Sequence, residues 1–303
     1  MKYAIITGGW SPEKTENING AQDVYESLIK SHEVKKFIFD DTFNSEQNKE
    51  IISDIKNYNP DLVFLCTTEE LPIQGILDFL GIKYTGSNVL ATSLSLDKEK
   101  CKLLFKAHNI ATTPGQAVSR EMFTEGNLNY DSIVYPVVVK PNSSGSSCGI
   151  SLAKNHQELV DGLKYAFTLD NKVLIEKFIL GREITVPMLD GNKLPPIEII
   201  KKREIFDFES KSDFKKFVKY ERASIDEDVL LQIDLIMLKL RDIFGIRNIF
   251  RADFILTENN NLVLLEINTL PCLGDGMMGV SARANNWSYD DFLEKVSESA
   301  LNN

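Results

Sequence analysis

Three short apolar runs, each separated from the next by a helix-like stretch, constrain the fold of this chain most. Tyr3–Thr7 is apolar and ends in Gly8-Gly9, and a helix-like stretch follows from about Asn19 to Lys30. Phe37–Phe39 reads as a second strand, Ile51–Asn57 as a helix and Asp61–Cys66 as a third strand. Strands alternating with helices at this spacing imply a parallel sheet with crossover helices. Ligands of such sheets lie at the carboxyl ends of the strands, here Gly8-Gly9 and Thr67–Glu70.

The chain then changes character. A helix is expected at Lys98–His108, and Pro114 breaks the pattern. Val134–Lys140 is strand-like, Asn142–Gly149 is a Gly/Ser loop, and Ile150–Ala153 is a strand. A helix at His156–Ala166 and a strand at Lys172–Phe178 complete an antiparallel sheet with helices on one face. Strands follow at Glu183–Met188 and Ile197–Ile200, and Phe206–Tyr220 lacks a clear period and is expected to be a loop. A helix at Asp226–Phe244 precedes two strands, Phe250–Leu256 and Leu262–Ile267, joined by a turn at Thr257–Asn261. A Gly-rich loop at Leu273–Gly279 and a helix at Tyr289–Ser297 close the chain. With 303 residues, one core is not enough. The division expected is an α/β domain at 1–95, an α+β domain at 96–180 and a third domain at 181–303.

Apolar residues make up 43% and charged residues 26%, the balance of a soluble globular chain. A net charge of −10 argues against nucleic acid or an anionic membrane as partner. No apolar run approaches the ~20 residues of a membrane span. No basic, apolar leader precedes the first strand, so a cytoplasmic protein is expected. Cys66, Cys101, Cys148 and Cys272 are too dispersed for a zinc site and read as reduced thiols. His32, His108 and His156 belong to no catalytic constellation, and Trp10 stands where it either lines a pocket or packs between domains.

The chemistry concentrates in the last strand pair. Strand residues two apart share a face, so Arg251 pairs with Asp253 and Glu266 with Asn268. A hairpin brings the two faces together, placing two carboxylates, an amide and a guanidinium on one surface. Asp253, Glu266 and Asn268 form a hard oxygen set suited to Mg2+ on nucleotide phosphates. Arg251 is placed to stabilise charge developing on a reacting centre. Lys140 ends a strand just before the Gly/Ser loop, whose small residues admit a phosphate close to backbone N–H groups. The GxxxxGK[ST] order is absent. Glu176-Lys177 ends another strand and is placed to meet an adenine ring, with an acid for a ribose hydroxyl.

In order and spacing these motifs resemble the ATP-grasp superfamily, and within it the D-alanine–D-alanine ligase family. The supporting segments are Gln74–Ser87, Ser93–Lys98, Val139–Gly149, Leu174–Lys177 through Gly181-Arg-Glu183, Arg251-Ala-Asp253 and Leu265–Pro271, together spanning almost the whole chain. The resemblance implies three domains with ATP clamped between the second and third. It implies nucleotide contacts at Lys98, Lys140, Ser146, Ser147, Glu176, Lys177, Glu183 and Lys211, and Mg2+ or Mn2+ on Asp253, Glu266 and Asn268. Arg251, Ser146 and Lys211 would act at the reacting groups, and a homodimer is implied. The reaction implied is phosphorylation of a carboxylate, then attack of an amine on the acyl phosphate, which needs positioning more than a protein nucleophile.

Departures from the family fall on the amino-acid side. The opening run reads Gly8-Gly-Trp-Ser-Pro-Glu13-Lys-Thr15-Glu16, with Thr15 where an acid is usual. Cys66-Thr-Thr-Glu-Glu-Leu-Pro replaces a longer histidine-bearing loop, and Ser212 follows Lys211 where a tyrosine is usual. Asp275-Gly276-Met277 replaces a stretch whose serine holds a carboxylate. Each lost partner costs about 1–3 kcal/mol. Altered amino-acid or amine substrates are therefore expected, with Asp275 and Glu69-Glu70 hinting at a cationic amine and the short loop at a carrier-bound acceptor. The alternatives are a genuine D-alanine–D-alanine ligase, with contacts moved to Glu16 or Tyr220, and a non-catalytic ATP-binding protein.

Overall fold

The structure, a computed structural model, describes residues 1–9, 13–42, 45–145, 148–201 and 218–302. Strands β1 (Lys2–Gly8), β2 (Glu33–Phe39) and β3 (Leu62–Cys66) form the expected parallel sheet in the order β2-β1-β3. Alternation along β1 sorts its neighbours. Tyr3 and Ile5 pack with Ala21, Val24 and Leu28 of α1 (Lys14–Leu28), whereas Ala4 and Ile6 pack with Ile55 of α2 (Glu46–Tyr58). The two helices therefore cover opposite faces. Helix α1 begins at Lys14, earlier than the apolar pattern predicts, because its first turn is polar.

Three helices lead to the second sheet: α3 (Ile73–Leu80), α4 (Val89–Leu96) and α5 (Lys98–Ala107). The first two are too short to show a clear period in the sequence. Asp97 starts α5 by accepting the Lys100 N–H at 3.1 Å, which fixes Lys98 and Lys102 one turn apart on a buried face. Next come β4 (Gly115–Ser119), α6 (Arg120–Thr124), β5 (Val137–Pro141), β6 (Ser151–Ala153), α7 (His156–Leu169) and β7 (Lys172–Lys177). The sheet is antiparallel in the order β4-β7-β5-β6, and Leu159, Leu163 and Ala166 of α7 fill one face.

The third sheet contains β8 (Arg182–Leu189), β9 (Asn192–Lys193), β10 (Ile197–Lys201), β11 (Val218–Arg222), β12 (Ile249–Leu256) and β13 (Leu262–Asn268). Its order is β11-β10-β8-β12-β13, with β9 paired to β8. Helix α8 (Glu227–Phe244) packs Val229, Ile233, Met237 and Leu240 against Ile184, Val186, Ala252 and Phe254. The opposite face of β8 and β12 carries Glu183, Thr185, Arg251 and Asp253. Two expectations are corrected here. Val218–Tyr220 is strand, stabilised by pairing with β10, and Met277–Gly279 opens helix α9 (Met277–Ala284). Helix α10 (Tyr289–Asn302) follows, and its Phe292, Val296 and Ala300 pack with Tyr3, Ile5 and Leu28. The last helix thus shares a core with the first sheet.

One irregularity shapes β13. Its register passes from Phe254↔Leu264 to Asp253↔Glu266, so Leu265 is an extra residue. Before the bulge Leu262 and Leu264 face the core; after it Ile267 does, and Glu266 and Asn268 turn to the other face.

Candidate active site

The hairpin brings together the four side chains that the sequence singles out. Arg251 is opposite Asn268 and Asp253 opposite Glu266. Asn268 donates from Nδ2 to Asp253 Oδ2 at 3.1 Å, and Arg251 Nε lies 3.3 Å from Asp253 Oδ1. Thr185, fully buried on β8, donates to Asp253 Oδ1 at 2.6 Å, a contact that only the β8–β12 register reveals. Lys98 reaches in from α5, with Nζ 3.6 Å from Glu266 Oε2 and 2.6 Å from the carbonyl of Ser144. Burial raises the Glu266 pKa, but Lys98, Lys140 and Arg251 outweigh it and hold the carboxyl below its usual range. Glu183 behaves oppositely: burial, with Asp253 and Glu266 adding to it, lifts its pKa against the pull of its partner Lys201.

The donor set passes a test for a divalent ion. Asp253 and Glu266 offer carboxylate oxygens across one register pair, Asn268 adds an amide, and cations already balance the charge. Among the described residues no three His, Cys, Asp or Glu side chains gather into a closed cage. The set's oxygen donors, Asp253, Glu266 and Asn268, would suit a hard divalent ion.

A second network lies beside it. Glu176 is only 3% exposed. Its Oε1 lies 3.0 Å from Lys102 Nζ, its Oε2 lies 3.1 Å from Lys140 Nζ, and Thr113 donates to Oε2 at 2.7 Å. Burial raises the Glu176 pKa, yet the two lysines prevail and leave it lowered. Burial dominates at Lys102, whose pKa falls to about 8 despite Glu176. Glu176 is thus enclosed by Lys102, Lys140 and Thr113. Lys177 is exposed, and its backbone N–H bonds the carbonyl of Pro114 at 2.8 Å. Lys102 was not singled out in the sequence; its spacing of four from Lys98 on one helix was the available signal.

On the amino-acid side, Glu13 precedes α1 and its carboxylate lies against the α-carbon of Gly145, where a Cβ would collide with it. Thr15 is exposed and Glu16 half-buried in the first turn of α1. Tyr220 lies on the same sheet face as Thr185 and Glu183. An added Cβ on Gly276 would be 4.0 Å from its ring. Burial, then the charges of Glu16, Cys272 and Glu183, raise the Tyr220 pKa while Arg251 lowers it. Asp275 pairs with Arg283 at 2.6 Å, and Glu69 accepts backbone N–H groups of Thr269 and Leu270. Asp275 and Glu69 are therefore both engaged within the protein. Met277 is the first residue of α9. Trp10, Ser146, Ser147, Lys211 and Ser212 lie outside the described residues.

Comparison with known proteins gives a consistent result. The family model described as D-ala D-ala ligase C-terminus matches residues 104–298. The D-alanine–D-alanine ligase of Halalkalibacterium halodurans is 31% identical over 97% of each chain. A solved D-alanine–D-alanine ligase from Bacillus anthracis superposes with a TM-score of 0.85 at 28% identity, covering 100% of this chain and 98% of that one. A structure of the Bacillus anthracis ligase complexed with ATP gives a TM-score of 0.81 at 26% identity over the same shares of both chains.

Proposed function

Because the chain belongs to the D-alanine–D-alanine ligase family of ATP-grasp, ADP-forming carbon–nitrogen ligases, we propose that it joins two molecules of D-alanine, with ATP converted to ADP and phosphate. The observation that carries this reading is the convergence of Arg251, Asp253, Glu266 and Asn268 on one face with Lys98 and Lys140 beside them. The departures in the sequence pointed to other substrates. Relatives that cover 97% of both chains and carry the D-alanine–D-alanine ligase name support two D-alanines better. Tyr220, on the same sheet face as Thr185 and Glu183, offers a hydroxyl in place of the tyrosine and serine hydroxyls that Ser212 and Met277 replace.

In this reading Asp253, Glu266 and Asn268 hold Mg2+ or Mn2+. Held there, the ion would supply positive charge against the nucleotide's phosphates. Lys140 and Lys98 position phosphate oxygens, and Glu176 holds Lys140 in place. Lys177 and Glu183 contact the nucleotide at the cleft edge, joined by Ser146, Ser147 and Lys211. Arg251 faces the reacting carboxyl, where its fixed charge stabilises the oxygens of the tetrahedral intermediate. Glu13 and Glu16, with Thr15 beside them, orient the first amino acid. Gly276 and Met277 border the second. The substrates are free amino acids, the enzyme works in the cytoplasm as a homodimer, and residues 1–95, 96–180 and 181–303 act as three parts around the cleft.

The test is ADP release from the purified protein with Mg-ATP and a panel of D- and L-amino acids, singly and in pairs. D-alanine alone is expected to drive it. Turnover only with a different pair would refute the proposed substrates, and Asp253→Asn is expected to abolish turnover with whichever pair is active.

A further inference from the structure

Asn268 ends a strand that lies at the edge of its sheet, with β12 as its one sheet neighbour among the described residues. An edge strand needs support on its open side if its side chains are to hold a geometry. At Leu264 that support comes from Ala111, whose carbonyl accepts the Leu264 N–H at 2.9 Å, and from Thr112, which donates to the Leu264 carbonyl at 2.8 Å. At the other end it comes from Glu69. Its Oε1 accepts the N–H of Thr269 at 3.0 Å and of Leu270 at 3.1 Å. Thr269 is fully buried; its carbonyl accepts Ser87 N–H at 3.4 Å and its hydroxyl meets Ser95 Oγ at 2.9 Å. Leu270 packs into the core of the first sheet. The chain just past Asn268 is thus gripped by the first 95 residues. Burial lifts the Glu69 pKa, and Arg251 and Lys98 pull it down, so this carboxyl also feels the charges of the site.

We propose that Glu69 is a positioning residue for ligation, fixing the end of β13, and through it Asn268 and the facing Arg251, by clasping the Thr269–Leu270 backbone. The kinetic part rests on the ligase reading. Displacing reactive groups by an ångström costs about 100-fold in rate. Glu69→Ala is therefore expected to lower kcat about 100-fold while leaving KM for ATP within about 3-fold, since Lys140 and Glu176 are held by other contacts. Glu69→Gln keeps an oxygen for both N–H groups and is expected to recover to within about 10-fold of the parent.

Hydrogen exchange at the Thr269 and Leu270 amides is measured on the same proteins. Faster exchange is expected in Glu69→Ala, and protection in Glu69→Gln. Unchanged exchange or an undiminished kcat in Glu69→Ala overturns the proposal, as does a Glu69→Gln no better than Glu69→Ala. Should Glu69→Ala fail to fold, Glu69→Asp, which withdraws the acceptor, takes its place, and Glu69→Asp matching or exceeding Glu69→Gln is the refuting outcome. A parent protein that releases no ADP with any pair refutes the function, and the exchange measurement still decides the clasp.

Discussion

Replacing Lys102 with methionine tests the buried network beside the proposed metal ligands. Methionine fills nearly the same volume, so the change removes charge with little loss of packing. It leaves Glu176, 3% exposed, without the ammonium that stands 3.0 Å from Oε1. Removing one partner of a buried pair costs about 3–5 kcal/mol. Glu176 keeps Lys140 at 3.1 Å and the Thr113 hydroxyl at 2.7 Å on its other oxygen. With that support retained, and with the burial cost of the Lys102 charge relieved at the same time, the expected net loss is about 1 kcal/mol. Adding Glu176→Gln removes the stranded charge, so the double variant should be more stable than Lys102→Met alone. The pH dependence has a definite sign. The Lys102 pKa is lowered to about 8 in the folded protein from 10.5. Between those values the unfolded chain binds the proton and the folded one does not, so this group makes stability rise with pH. Below pH 8 both states hold the proton and the burial penalty is fully present. The parent should therefore gain on the variant between pH 8 and 10.5. Denaturant unfolding followed by far-ultraviolet circular dichroism measures both effects. A loss under about 0.5 kcal/mol with parallel pH profiles would show that the network is not coupled as described.

Tyr220→Phe should leave kcat and the KM for ATP nearly unchanged and raise the KM for the second amino acid about 10-fold, the equivalent of one hydrogen bond; steady-state kinetics with an unchanged KM would remove Tyr220 from the substrate contacts. Gly149 has φ +78° and an added Cβ would lie 2.5 Å from Pro141 Cγ and 2.7 Å from Leu169 Cδ1. Gly149→Ala should then cost about 1–3 kcal/mol, and an undiminished melting temperature would contradict the strain.

The sequence makes the hairpin legible because a short turn joins two apolar strands and residues two apart share a face, pairing Arg251 with Asp253 and Glu266 with Asn268; that the two pairs meet on one face depends on the extra residue Leu265, which no periodicity shows. It also makes the parallel sheet legible, since apolar runs and crossover helices alternate there. What it conceals is long-range. Glu69 meets Thr269 across 200 residues, and Thr185 meets Asp253 through a register set by a whole sheet. The burial of Glu176 follows from where α5 docks, so local pattern does not reveal its ion pairs with Lys102 and Lys140. Strand β11 is hidden because its apolar partners lie on β10. The three-part division has the same difficulty with α10, whose amphipathic stripe matches α1 and the first sheet.

The extra residue in β13 makes the strand two half-strands of opposite phase. The half ending at Leu264 answers to the core, the half beginning at Glu266 to the site. Substitutions in one half are insulated from the other, so core packing and the proposed metal site can vary separately. Insertions and deletions are not insulated. Losing Leu265 would turn Glu266 and Asn268 inward and Ile267 outward, exchanging two ligands for one aliphatic side chain. Length here is under tighter constraint than the identity of Leu265 itself.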